Sequence, residues 1–275
     1  MERKLLYEAA SHIARAHGVV AFTGAGVSEE SGISTFRDQG GIWDRYSPER
    51  FGRVSGLRAE VLRHPEEVAG FIRGLLQSCL EAVPNPAHLA LARWEEDGLL
   101  SAVVTQNIDT LHERAGSKKV IKLHGSINRL RCEACGFRQG LDESQLQQWI
   151  ARLSREGVGR RQARRLLQET FPACPYCGGK RRPDVVLFED LLPQDAWLEA
   201  QQEASRCHIL LVIGTSGLVY PAAEIPLLAK RSGATLIEIN PQPTSLTSHA
   251  DRFLAGKAGQ VMEELMQQVH LAKDD

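Results

Sequence analysis

Four of the chain's six cysteines fall in two pairs, Cys132-Glu-Ala-Cys135 and Cys174-Pro-Tyr-Cys177. Two thiolates three residues apart on a tight turn can chelate one ion, and two such turns complete a tetrahedron. Gly136 and Gly178 follow the second cysteine of each pair, as knuckle turns favour. A gap of 38 residues, 136 to 173, separates the pairs, which is longer than the usual zinc-ribbon spacing. Two Cys-x2-Cys turns flanking one insertion favour a shared zinc over a pair of redox dithiols. Four thiolates leave no open coordination position, so such a zinc folds a small module and does no chemistry. Cys79 and Cys207 stand in apolar contexts and read as core residues.

A second set of reactive residues sits at the ends of apolar runs. Val19 to Phe22 reads as a buried strand, and Gly24, Ala25 and Gly26 follow it directly. Glycines there suggest backbone N–H groups meeting a nucleotide's phosphates. The loop is not a Walker A sequence, because no Gly-Lys-Ser/Thr follows. Nor is it a full G-x-G-x-x-G, because Glu29 stands at the third glycine. An ordinary dinucleotide fold places an acid about 20 residues on; Asp44 has that spacing but follows no predicted strand. Residues 101–106 run into Asn107-Ile108-Asp109, 208–214 into Thr215-Ser216-Gly217, and 235–240 into Pro241-Gln242. Asn107 and Asp109 could also cap the helix that follows them. His124 follows an apolar "VIKL", whereas His88 and His112 carry no comparable support and read as turn histidines.

The elements that must hold these residues can be read from periodicity. Helical stretches, "NPAHLALARWEEDGLL" and "YPAAEIPLLAKRSGA", separate the apolar runs. Strands alternating with helices predict a doubly wound, mostly parallel, Rossmann-like α/β sheet. In such sheets a site forms at the carboxyl ends of the strands, where all four polar motifs fall. The first 18 residues read as an amphipathic helix that Gly18 ends, with no signal-peptide pattern. Residues 45–80 lack a strand pattern and read as a loop followed by a helix, a helical flap. The sheet pattern stops from Arg129 to Arg182, predicting an inserted zinc module at 129–182 within a domain built from 1–128 and 183–275.

The net charge of −1 points to neither nucleic acid nor membrane, and no apolar run approaches the length of a membrane helix. Six cysteines read as ligands and core residues fit a cytoplasmic protein. Residues 136–173 hold seven arginines against four acids, which leaves open a contact with nucleic acid or an acidic partner beside the plainer reading of a solvated face.

Taken together, "GAGVSEESGISTFR", "TQNID", the "HG" at 124–125, the two Cys pairs, "RPDVVLF", "GTS" with "VYPAA", and "INPQPT" resemble the sirtuins, NAD-dependent protein-lysine deacylases, in family order. The resemblance spans nearly the whole chain. It implies cleavage of NAD: the acyl oxygen of a modified lysine attacks C1′ of the nicotinamide ribose, and nicotinamide leaves. It makes His124 the general base on a ribose hydroxyl, with Asn107 and Asp109 assisting at the ribose and the nicotinamide amide. It assigns NAD to Gly24, Ala25, Gly26, Ser28, Phe36, Arg37, Gln106, Ile108, Gly214, Thr215, Ser216, Asn240, Pro241, Gln242 and Ala258, with Phe36 and Arg37 closing over the site. The products would be deacylated lysine, nicotinamide and O-acyl-ADP-ribose. A mono-ADP-ribosyltransferase using the same cleavage is the alternative.

The family binds acyl-lysine peptides as an added strand between two edges. Here those edges carry Val186, Phe188 and Glu189 on one side, and Leu218, Val219 and Tyr220 on the other. This chain departs from the family at both, with Phe188-Glu189-Asp190 for Phe-Gly-Glu, and Gly217 for leucine. Relatives that remove succinyl or malonyl groups carry Tyr and Arg three apart on the flap helix; Ile72 and Leu75 stand there, which predicts neutral acyl groups, acetyl or longer.

Overall fold

Leu6, Ala9, Ala10 and Ile13 recur at helical spacing and form the buried side of helix α1 (Arg3–Ala14). Strand β1 (Val19–Thr23) follows, buried along its whole length. Val19 and Ala21 enter one apolar layer with α1, while Val20 and Phe22 enter the layer on the opposite face. Burial on both faces explains an apolar run without alternation. The chain is described here by a computed structural model covering residues 3–35, 41–154 and 160–274.

Four helices come next: α2 (Ile42–Arg45), α3 (Pro48–Phe51), α4 (Val54–Arg63) and α5 (Pro65–Glu81). The chain then returns to the sheet through α6 (Pro86–Glu96), β2 (Leu100–Thr105), α7 (Leu111–Ala115) and β3 (Val120–Lys122). An excursion follows through β4 (Gly125–Cys132), β5 (Arg138–Gly140), α8 (Glu143–Leu153), α9 (Arg160–Thr170) and β6 (Arg181–Val185). The sheet is completed by α10 (Gln194–Arg206), β7 (Ile209–Ile213), α11 (Glu224–Arg231), β8 (Thr235–Asn240) and β9 (Arg252–Ala255), and α12 (Ala258–Asp274) packs back on α1.

The main sheet has six strands in the order β3-β2-β1-β7-β8-β9, and every neighbouring pair is parallel. Its order reverses between β1 and β7, so the loops after these strands diverge and leave a crevice. The expected doubly wound fold is what forms, and the four runs read as strands are strands.

The excursion builds a three-stranded antiparallel sheet, β5-β4-β6. Helices α8 and α9 pack against α5, and Leu146, Trp149, Leu153 and Leu167 share one core with Phe51, Val68, Ile72 and Leu76. The outer face of α9 carries Arg160, Arg161, Arg164 and Arg165, all exposed, while Ala163, Leu166 and Leu167 face inward. No helix among the described residues is long and apolar enough to cross a membrane.

Candidate functional site

The crevice between β1 and β7 is closed at its floor by backbone contact. Gly24 N donates to Ile213 O at 3.0 Å, and Gly26 N donates to Gly214 O at 2.8 Å. A Cβ on Gly24 would lie 2.7 Å from Thr215 Cβ, and one on Gly26 would lie 2.8 Å from Gly214 Cα. These glycines therefore seat the loop on the end of β7. This differs from three amides all facing a pyrophosphate: Gly24 and Gly26 spend theirs within the chain, and only Ala25 of the three has an amide without a protein partner among the described residues.

The next strand end supplies a linked polar set. Ser28 Oγ donates to Asp109 Oδ2 at 3.0 Å and accepts from Asn107 Nδ2 at 3.0 Å. Asp109 Oδ1 accepts from Leu111 N at 3.0 Å, so the carboxylate also caps α7. All three side chains are buried. Gln106 Nε2 donates to Thr215 Oγ1 at 2.9 Å, which joins the ends of β2 and β7.

Gln106 O lies 2.9 Å from His124 Nδ1. A carbonyl only accepts, so Nδ1 carries the proton and Nε2 of the neutral ring is left with its lone pair. Burial lowers the pKa of His124, opposed in part by that same bond to Gln106. Near neutral pH the ring is therefore uncharged and able to accept a proton at Nε2.

At the far side of the crevice, Asn240 Nδ2 donates to Thr215 O at 3.3 Å and to Glu238 Oε1 at 3.0 Å. Glu238 is fully buried and also accepts from Thr244 Oγ1 at 2.5 Å and Thr247 Oγ1 at 2.6 Å. It anchors the loop that carries Pro241 and Gln242, both exposed. Glu30 accepts from Gly259 N at 2.5 Å and ties the loop after β1 to the start of α12, where Ala258 is buried. The same loop is held from below by Asn85, whose Nδ2 donates to Val27 O at 2.8 Å and Ser31 Oγ at 3.0 Å.

His88 and His112 are buried helix residues with rings 4.8 Å apart, His112 Nε2 lying 3.0 Å from Thr23 Oγ1, not turn residues. Burial depresses both pKa values, that of His88 to about 4. Sequence reasoning passed over Glu238, Glu30, Asn85 and this pair. Only the proximity of Glu29 and Glu30 to the cofactor loop offered a signal. Phe36 and Arg37 lie outside the described residues.

His124 and Gln106 also line a cavity of about 280 Å³. Its inner wall is apolar, formed by Phe71, Ile72, Leu75, Ile108 and Ile127. Val186, Phe188 and Glu189 line one side, and Val219 and Tyr220 another, so the two expected edges face one opening. Leu218 is exposed next to Val219. Among the described residues one arginine, Arg182, is on the wall, and it is bonded to Asp190 at 2.5 Å and to Val185 O at 2.8 Å.

The four paired cysteines converge. Their sulfurs all lie within 4.8 Å of one another, with Cys132 and Cys177 at 3.5 Å and Cys135 and Cys174 at 3.7 Å. A tetrahedral zinc with bonds of ~2.3 Å sets sulfurs roughly 3.8 Å apart, so the donor set fits that ion. Backbone amides of Cys135 and Ala134 bond the Cys132 sulfur and bring its pKa down to about 6, favouring a thiolate ligand. Cys79 and Cys207 are buried thiols whose pKa values burial pushes up to about 12 and about 11.

Residues 24–221 match the family described as "Sir2 family". An NAD-dependent protein deacylase of Pyrococcus furiosus is 42% identical over 265 residues, covering 96% of this chain and 98% of the relative. One from Thermococcus kodakarensis is 44% identical over 265 residues, covering 96% of each chain. Among solved structures, a complex of a Sir2 homologue with NAD is 40% identical, covers 99% of this chain and 95% of its own, and superposes with a TM-score of 0.80.

Proposed function

This chain belongs to the Sir2 family, and from that premise we propose how its residues divide the work of deacylation. It is an NAD-dependent protein deacylase that transfers the acyl group of a modified lysine to ADP-ribose, with NAD and zinc as its cofactors. Bound NAD supplies an electrophilic ribose carbon from which nicotinamide departs. Ala25 N–H, at the mouth of the crevice, is the amide available to a phosphate oxygen. Asn107, Asp109 and Ser28 form one hydrogen-bonded set that orients polar groups toward the ribose and the amide of nicotinamide. Gly214, Thr215, Ser216, Asn240, Pro241, Gln242 and Ala258 take the adenosine side, and Gln106 and Ile108 the nicotinamide side.

His124 is the general base. Its Nδ1–H is held by Gln106 O, so Nε2 is presented as acceptor for a ribose hydroxyl proton. The apolar cavity beyond it receives the acyl chain and keeps bulk water away. The acyl-peptide lies between Val186, Phe188 and Glu189 on one side and Leu218, Val219 and Tyr220 on the other. The observation that carries this reading is a neutral, oriented histidine at the junction of a nucleotide crevice and an apolar tunnel.

The zinc is structural and closes the unit 129–182, inserted into the NAD-binding unit 1–128 and 183–275. The protein acts in the cytoplasm, and its partners are acyl-lysine proteins. NAD labelled in its ADP-ribose half tests the reaction: with an acetyl-lysine peptide, label is expected in O-acetyl-ADP-ribose. Label retained on protein would favour mono-ADP-ribosyl transfer.

A further inference from the structure

Glu189 has φ +83° and is the only non-glycine residue with positive φ among the described residues. A side chain at such a position is strained, and glycine would relieve it. The strained residue makes contacts that glycine could not. Its Oε2 accepts from Ser55 N at 3.0 Å, its Oε1 accepts from Ser55 Oγ at 2.8 Å, and Arg53 Nη1 lies 3.4 Å away.

Ser55 is in the first turn of α4, where backbone N–H groups lack helical partners. The residue before α4, Arg53, makes no side-chain cap. Glu189 supplies that cap from 134 residues away, and the carboxylate also suits the positive end of the helix. Its pKa is held below the usual range, first by Ser55 N–H and then by Ser55 Oγ, so it is ionised at neutral pH. Backbone bonds run alongside: Phe188 N donates to Gly52 O at 2.8 Å, and Val54 N donates to Phe188 O at 3.3 Å. One edge of segment 186–190 is therefore occupied by the flap, and Asp190 closes its end by accepting from Leu187 N at 3.0 Å.

We propose that Glu189 is a positioning residue that clips the flap helix α4 to the substrate-binding segment, so that docking of the flap and formation of the acyl-peptide edge are one event. The proposal rests on the deacylase reading above. The clip fixes the backbone at 188–190, and Glu189 lines the cavity opening beside Val219 and Tyr220. Peptide affinity should depend on the clip, whereas the NAD crevice after β1 and β7 does not contain it.

The test compares wild type with Glu189→Gly, Glu189→Gln, Ser55→Ala and the Glu189→Gly/Ser55→Ala double variant. An acetyl-lysine peptide and NAD are varied separately, and amide exchange is measured across residues 54–58. Glu189→Gly removes the strain and the clip together. It should raise peptide KM at least about fivefold, with kcat and the KM for NAD within about twofold, and should speed exchange at Ser55. Glu189→Gln can still accept from Ser55 N and should recover part of the loss. The double variant should lose less than the two single effects combined. A peptide KM within twofold of wild type for Glu189→Gly, or Ser55 exchange unchanged, overturns the clip. Absence of nicotinamide release by wild type would instead overturn the deacylase reading, and amide exchange would still decide the clip.

Discussion

Replacing acetyl by succinyl on one peptide should cut kcat/KM by roughly 100-fold or more. The cavity wall beyond His124 is formed by Phe71, Ile72, Leu75, Ile108 and Ile127, and the single arginine on it among the described residues, Arg182, is already bonded to Asp190. A carboxylate entering that wall would lose its water and gain no partner among the described residues, at a cost of several kcal/mol. Even about 3 kcal/mol is a factor of roughly 150 in rate. Neutral chains should behave oppositely, because each methylene buried contributes up to about 0.8 kcal/mol. The assay is initial rate of nicotinamide release on one peptide bearing acetyl, butyryl or succinyl lysine. Leu75→Arg would place a guanidinium on the wall and should move the succinyl-to-acetyl ratio up by at least about tenfold. Wild type releasing succinyl faster than acetyl would refute the reasoning, as would an unchanged ratio in the variant.

Three further outcomes follow from the same structure. Chelation of zinc, or Cys132→Ala, should unfold the β4–β6 sheet and loosen α8 and α9, read as lost near-ultraviolet circular dichroism together with about one zinc released per chain. The His88 pKa falls from 6.5 to about 4 in the folded state, so its stabilising contribution is complete above pH 6.5 and is lost as pH drops toward 4. Between pH 7.5 and 5 that is about 2 kcal/mol, which urea unfolding should detect and His88→Gln should largely remove; His112 acts in the same direction. Gly26→Ala would push a methyl to 2.8 Å from Gly214 Cα and should cost about 1–3 kcal/mol of stability by thermal unfolding, with weaker NAD binding by calorimetry.

The sheet was legible because β1 and β7 are buried along their whole length and read as apolar runs, and β2 and β8 as apolar runs interrupted inside only by Ser101 and Glu238. Strands β3 and β5 have three residues each and β9 four, too few for a period to emerge. The polar strand ends announced themselves by residue type, and the cysteines by spacing. What stayed hidden depends on distance in space. Nothing local links Glu189 to Ser55, Glu30 to Gly259, or Gln106 O to His124, and these bonds set the geometry. The Gly24 and Gly26 amides looked free because the sequence does not reveal that β7 ends beneath them. The flap and the insertion read as separate because their shared core joins residues on α5, α8 and α9 across a long stretch of chain.

The most direct measurement is nicotinamide release from NAD with an acetyl-lysine peptide, comparing wild type with His124→Ala. With His124 as the base held at Nδ1 by Gln106 O, wild type should release nicotinamide and form O-acetyl-ADP-ribose, and the variant should lose product formation by about 100-fold or more while keeping its fold. Product formation by the variant at the wild-type rate, or none by wild type across a panel of neutral acyl-peptides, would contradict the account.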